Sequence, residues 1–294
     1  MSSLGDSELI LNPDGSVYHL HLLPEDIAPI IITVGDPKRV HEVSKYFDTI
    51  EVEKSKREFV THTGFYSGKR ITVISTGIGT DNIDIVFNEL DALANIDFKT
   101  RKVKSNKTQL NFIRVGTSGA IQPDIPVDSF LLGSSGIGLD NLMHFYNYGQ
   151  VKSQELEQAL RKHLQWETHN LYPYVIDCDT ELKTIFTNNR IRFGITATNT
   201  GFYGPQGRSL RLIPKVDDFH DKLASFQHKN ERVTNLEMET AAMYGLAKLL
   251  GHRAISLNAI LANRATGEFS KEGDKTIDAL IQFTLESIAN SSLV

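Results

Sequence analysis

The feature that most restricts this chain is a set of short apolar runs, rich in β-branched residues, several of which stop at a glycine. Residues 30–34 read IIITV and meet Gly35, residues 70–76 read RITVIST and meet Gly77, and residues 112–115 read FIRV and meet Gly116. Further runs occupy residues 129–132, 192–198 and 254–262. Continuous apolar runs of strand length belong to strands buried on both faces, which need helices to cover them. Helical patterns lie between the runs. Residues 81–96 place Ile83, Val86, Phe87, Leu90 and Leu93 on one stripe. Residues 236–250 carry Ala242, Met243, Leu246, Leu249 and Leu250 and then meet Gly251, a helix-stop residue. Residues 154–164, 181–186 and 276–288 complete the helical set. This alternation predicts an α/β fold, with three α/β/α layers around a central mixed sheet.

No repeat or linker divides the chain, so residues 1–294 are expected to form one domain, with residues 1–16 as a flexible N-terminal extension. Residues 99–107, KTRKVKSNK, are expected to form an exposed loop before the strand at Phe112. Their composition fits a solvated insertion or a basic patch for a protein or nucleic acid.

Composition excludes several function classes. Apolar residues at 40% and charged residues at 23% are ordinary for a globular enzyme. A net charge of -5 argues against nucleic acid as a partner. Cys178 stands alone, which excludes an internal disulfide and a multi-cysteine zinc site and fits a reducing compartment. The ten histidines show no HExxH spacing, so no transition metal is expected. The first 29 residues lack the basic start and apolar core of a signal peptide, and no apolar run is long enough to span a membrane. These features predict a cytoplasmic protein.

The chemistry is expected at the glycine-bearing turns. VGDPKRV (34–40), STGIGT (75–80) and RVGTSGAI (114–121) each follow a strand, where sites in α/β sheets form. Glycine there lets backbone N–H groups approach a ligand. Gly77-Ile78-Gly79 lacks the third glycine of a dinucleotide fingerprint, and no P-loop sequence occurs. Arg39, Arg57 and Arg114 lie at or near these turns, and arginine is the side chain best suited to a phosphate.

GDPKRV, KREF, STGIG, RVGTSGAIQ, FYGPQGR (202–208), NLEMET (235–240) and LANR (261–264) together resemble the nucleoside phosphorylase-I family, within it the bacterial uridine phosphorylase branch. The resemblance runs from about residue 17 to the C-terminus. It implies phosphorolysis of uridine to uracil and ribose 1-phosphate. It assigns phosphate to Gly35, Arg39, Arg114 and Thr117, with Arg57 supplied by the neighbouring subunit. It assigns ribose to Met238 and Glu239, with His19 of the neighbour near the 5′-hydroxyl. Glu237 belongs to the same motif, but Thr234-x-x-Glu237 also reads as a helix capping box. The base falls to Gln206 and Arg208, with Phe202 stacking and Leu261 and Ala262 as an apolar wall. Arg208, Gln206 and Arg114 are the residues expected to carry catalysis.

The resemblance further implies a homodimer as the catalytic unit, with three dimers forming a hexamer in bacterial relatives. No cofactor is expected beyond phosphate as co-substrate. Some relatives bind a monovalent cation. Glu58 and Ile78 match two of its ligand positions and Asn82 replaces a serine, so the ion stays unassigned. Purine-cleaving relatives carry a Ser-Asp pair where this chain has Asn263-Arg264, which favours a pyrimidine. Three rival readings remain: phosphorolysis of deoxyuridine, thymidine or a purine nucleoside, a same-fold nucleosidase using water, and a non-catalytic binding protein.

Overall fold

The computed structural model describes residues 3–293. Its strands are β1 (Ile30–Val34), β2 (Thr49–Lys56), β3 (Phe59–Tyr66), β4 (Lys69–Ser75), β5 (Ile96–Asp97), β6 (Lys102–Val103), β7 (Asn111–Ala120), β8 (Phe130–Gly138), β9 (Tyr174–Asp177), β10 (Ile191–Thr198), β11 (Gln227–His228), β12 (Glu231–Glu237), β13 (Arg253–Asn263) and β14 (Glu268–Phe269). Its α-helices are α1 (Pro37–Ser44), α2 (Thr80–Asn95), α3 (Gln154–Leu164), α4 (Thr180–Phe186), α5 (Phe219–Ser225), α6 (Thr240–Leu250) and α7 (Gly273–Ala289).

A mixed sheet runs β11-β12-β10-β8-β13-β7-β1-β4-β3-β2, with β9 on β8 and β14 on β13. The strands β1, β4, β7 and β13 pair in parallel and are mostly buried, as their apolar runs require. Helix α2 packs with α6, and α7 packs with α1 and α4, giving the three-layer α/β/α fold. One end of the sheet curls until β12 meets β7, pairing Asn235 with Ala120 and Leu236 with Gly119. That closure brings the end of β12 beside the end of β7. No helix among the described residues is long and apolar enough to cross a membrane.

Four elements differ from the sequence reading. β7 does not stop at Gly116 but continues to Ala120, because β13 pairs with it in parallel beyond that point. Gly116 provides space, not a turn: a Cβ there would lie 1.9 Å from Arg114 Nη1. β8 extends through GSSGIG to Gly138, a segment that composition marks as a loop. Its glycines admit close neighbours, with Gly136 pressed against the backbone of Ala241. The stretch beginning at Leu236 starts as strand β12, and α6 begins only at Thr240. Thr234 therefore sits inside a strand, its hydroxyl donating to the Ile195 carbonyl, and no capping box forms. Residues 99–107 are not a bare loop, since β5 and β6 form a small hairpin there. Arg101 in its turn donates to the carbonyls of Leu4, Gly5 and Leu9 and tethers the N-terminal segment.

Candidate active site

A cavity of about 710 Å³ opens where β1, β4, β10 and β12 end and where β7 passes their edge. At one end Gly35 follows β1, and Arg39 lies in the first turn of α1, whose start is capped by Asp36 accepting the Lys38 N–H. Opposite it, the β4–α2 turn passes through Gly77 (φ 70°) and Gly79 (φ 99°), where a side chain would be strained. Arg39 donates a long hydrogen bond to the Val115 carbonyl (3.4 Å) and forms no ion pair among the described residues. Burial lowers its pKa, and the nearby Arg114 charge adds to that. An anion bound here would relieve both effects.

Arg114 forms the centre of the site. Its guanidinium lies over Gly116, with Nη2 donating to Glu239 Oε2 (2.5 Å) and lying 3.3 Å from Glu237 Oε2. Its Nη1 donates to Asn258 Oδ1 (3.0 Å) and Ser256 Oγ (3.4 Å) on β13. Burial opposes the Arg114 charge, but the carboxylates of Glu237 and Glu239 outweigh it and hold the pKa above the ordinary arginine value. Burial raises the carboxyl pKa of Glu239, and Arg114 offsets that only in part. Glu239 Oε1 also accepts the Gly79 N–H at 2.9 Å.

Glu237 both caps α6 and lines the cavity. Its carboxylate accepts the backbone N–H of Glu239 (2.9 Å) and of Thr240 (3.0 Å) and the Thr198 hydroxyl (2.7 Å). It therefore fixes the Met238-Glu239 turn that carries the residues expected at the sugar.

The far end of the cavity is set by the loop after β10. Arg208 stacks on Phe202, with its Cζ 3.8 Å from the ring centroid, and donates to Gln206 Oε1 (2.5 Å) and the Phe202 carbonyl (2.6 Å). Gln206 is buried, and its carbonyl is held by Arg264 Nη1 (2.6 Å) and by His220 Nε2 (3.0 Å). Burial, with the Arg208 charge, brings the Arg264 pKa down to about 10. Leu261, Ala262 and Phe269 make the apolar wall. Asn263 is committed to the backbone: its amide donates to the carbonyls of Gln122 and Ile125 and accepts from the N–H groups of Ala265 and Thr266. The carboxylates lining the cavity are Asp36, Glu58, Glu237 and Glu239, and none belongs to the segments that form this end.

Eleven of the expected site residues line this one cavity: Gly35, Arg39, Arg114 and Thr117; Glu237, Met238 and Glu239; Phe202, Gln206, Arg208 and Leu261. His19 and Arg57 do not. They meet elsewhere, around Tyr18. The Arg57 guanidinium lies 6.0 Å from the Tyr18 ring at the exposed β2–β3 turn, and the His19 ring lies 4.8 Å from it. Glu89 holds His19 through its Nδ1 (2.6 Å) and backbone N–H (3.0 Å), leaving Nε2 uncommitted among the described contacts. Asn82 turns its amide nitrogen to Glu58 Oε1 (3.3 Å), and both residues line the cavity with Ile78. Among the described residues, no group of three or more His, Cys, Asp or Glu side chains is arranged to hold a metal ion. Sequence reasoning missed Asn258 and Ser256, whose only signal is that they are polar residues inside an apolar central-strand run.

The sequence profile described as Phosphorylase superfamily matches residues 29–291. The chain belongs to the phosphorylase superfamily. It is 33% identical over 269 residues to a uridine phosphorylase of Thermococcus kodakarensis, covering 89% of this chain and 83% of that one. It is 30% identical over 261 residues to a uridine phosphorylase of Escherichia coli, covering 86% and 88%. The structure of a Trypanosoma brucei nucleoside phosphorylase, reported to show uridine phosphorylase activity, superposes with a TM-score of 0.87 at 28% identity. That superposition covers 96% of this phosphorylase and all of the trypanosomal chain.

Proposed function

We propose that this phosphorylase is a pentosyltransferase that cleaves uridine with inorganic phosphate to uracil and ribose 1-phosphate. The observation that carries this reading is the base end of the cavity. It offers one amide and one guanidinium, Gln206 and Arg208, and no carboxylic acid. A purine leaving group departs most readily when an acid protonates it, whereas uracil can leave as an anion. Gln206 provides a donor and an acceptor for the uracil edge, and Arg208 provides donors only. As the bond between ribose C1′ and uracil N1 stretches, positive charge builds on the sugar and negative charge on the base. Phosphate held at Arg39 and Arg114 stabilises the first charge and then captures C1′, while Arg208 and Gln206 receive the second. Glu239 accepts hydrogen bonds from the ribose hydroxyls and Met238 packs on the sugar. No electrons are transferred, so no redox cofactor takes part, and the reaction belongs to nucleoside salvage in the cytoplasm.

The site is completed by a second subunit. Within one chain the charges of Arg39 and Arg114 face those of Glu237 and Glu239, so a phosphate dianion arrives without surplus positive charge to meet it. Arg57 and His19, gathered at Tyr18 on a surface outside the cavity, supply the missing cation and a 5′-hydroxyl contact to the partner's site. Two inactive variants test this. Arg57→Ala spoils the partner's site and Arg208→Ala spoils the chain's own, so a mixed dimer keeps one intact site. Random mixing is expected to restore about a quarter of wild-type uridine phosphorolysis. If mixed dimers form, as shown by differential tagging, yet stay as inactive as their parents, the shared site is wrong.

A further inference from the structure

Arg114 and Gly116, two residues apart, face the same side of β7. Across the parallel ladder Ser256 stands opposite Arg114 and Asn258 opposite Gly116. With no Cβ on Gly116, the Arg114 side chain lies flat along the strand and brings Nη1 to the buried Asn258 amide. The guanidinium offers donors only, and that fixes the orientation of the amide. Asn258 Nδ2 donates to Ser256 Oγ (3.3 Å), which also accepts the Thr240 hydroxyl (2.8 Å) at the first turn of α6. The amide oxygen faces the guanidinium and the amide nitrogen the serine. The result is a clamp: two carboxylates hold Nη2, and a neutral acceptor holds Nη1.

We propose that Asn258 is a positioning residue for phosphate capture, and that its neutrality sets the affinity of the site for the phosphate dianion. An acceptor is needed opposite Nη1, because the buried guanidinium would otherwise rotate in its clamp. A third carboxylate there would fix the plane equally well. It would also turn one arginine facing two negative charges into one facing three, directly beneath an incoming anion. Asn258 supplies the geometry without the charge. The inference rests on phosphate lying at Arg114, as in the proposed function.

The test compares Asn258→Asp with Asn258→Ala, measuring the KM for phosphate and the KM for uridine separately, with phosphate affinity also measured by calorimetry. Asn258→Asp is expected to raise the phosphate KM by about tenfold to a hundredfold, with the uridine KM changed by less than about threefold. Asn258→Ala, which removes the acceptor but adds no charge, is expected to raise the phosphate KM less. A role in packing alone predicts the opposite order, since aspartate fills the same volume and alanine does not. Asp equal to or milder than Ala, or parallel changes in both KM values, overturns the inference. A wild-type enzyme that turns over uridine without phosphate overturns the functional reading, and the inference with it. If Asn258→Asp does not fold, Asn258→Ala with unchanged phosphate affinity is sufficient to overturn it.

Discussion

Replacing Gly116 by alanine is expected to lower phosphorolysis by on the order of a thousandfold while the fold survives. The added Cβ would lie 1.9 Å from Arg114 Nη1, 2.4 Å from its Cζ and 2.8 Å from its Nη2, so the guanidinium cannot remain where it is. The clashing atoms are the far end of a flexible side chain and not backbone. The β7–β13 ladder therefore persists, and the damage falls on the site. Once Arg114 swings away, Glu237 and Glu239 lose their shared cation, and in the proposed reaction phosphate loses its central donor. Steady-state kinetics and a melting curve check this. Near-wild-type activity in a folded Gly116→Ala protein would show that Arg114 does not act from its observed position.

Arg208→Ala is expected to cost on the order of 10²–10³ in kcat, with weaker uridine binding as well. Arg208 stacks on Phe202 while contacting Gln206, so in the proposed reaction its loss both loosens that loop and removes the donor that receives charge from the leaving uracil. Arg208→Lys keeps the charge but not the planar fork that stacks on Phe202 and donates to two oxygens at once, so it should restore only part of the loss. Normal uridine turnover by Arg208→Ala would remove the leaving-group role from this residue.

Both predictions turn on features that the sequence reveals unequally. The runs that became β1, β4, β10 and β13 were legible because strands buried on both faces leave no polar alternation to confuse the pattern. Helices α2, α3 and α7 were legible because each carries an apolar stripe with a polar opposite face. The sequence pattern cuts β7 and β8 short because glycine in an apolar run normally marks a stop. Here Gly116 admits Arg114, and Gly136 and Gly138 admit Ala241 and Tyr174. The sequence pattern merges the end of β12 with the start of α6 because Glu237 follows Thr234 at capping-box spacing. The carboxylate does cap the helix, but from the end of a strand.

The site residues carried by motifs were legible as a group, and the fold gathers those named for one chain into a single cavity. Asn258 was not, because an amide within ISLNAILA has no local signature and gains meaning only from the strand paired with it. His19 and Arg57 were named from the sequence, yet one chain can show only that they lie together outside its own cavity.

The central claim is that Arg39 and Arg114 hold phosphate for attack on a nucleoside whose base is received by Gln206 and Arg208. Its most direct test is uracil release from uridine by the purified protein, with and without inorganic phosphate and with the sugar product identified. The account predicts release that requires phosphate and yields ribose 1-phosphate. Release at the same rate without phosphate, giving free ribose, would contradict it.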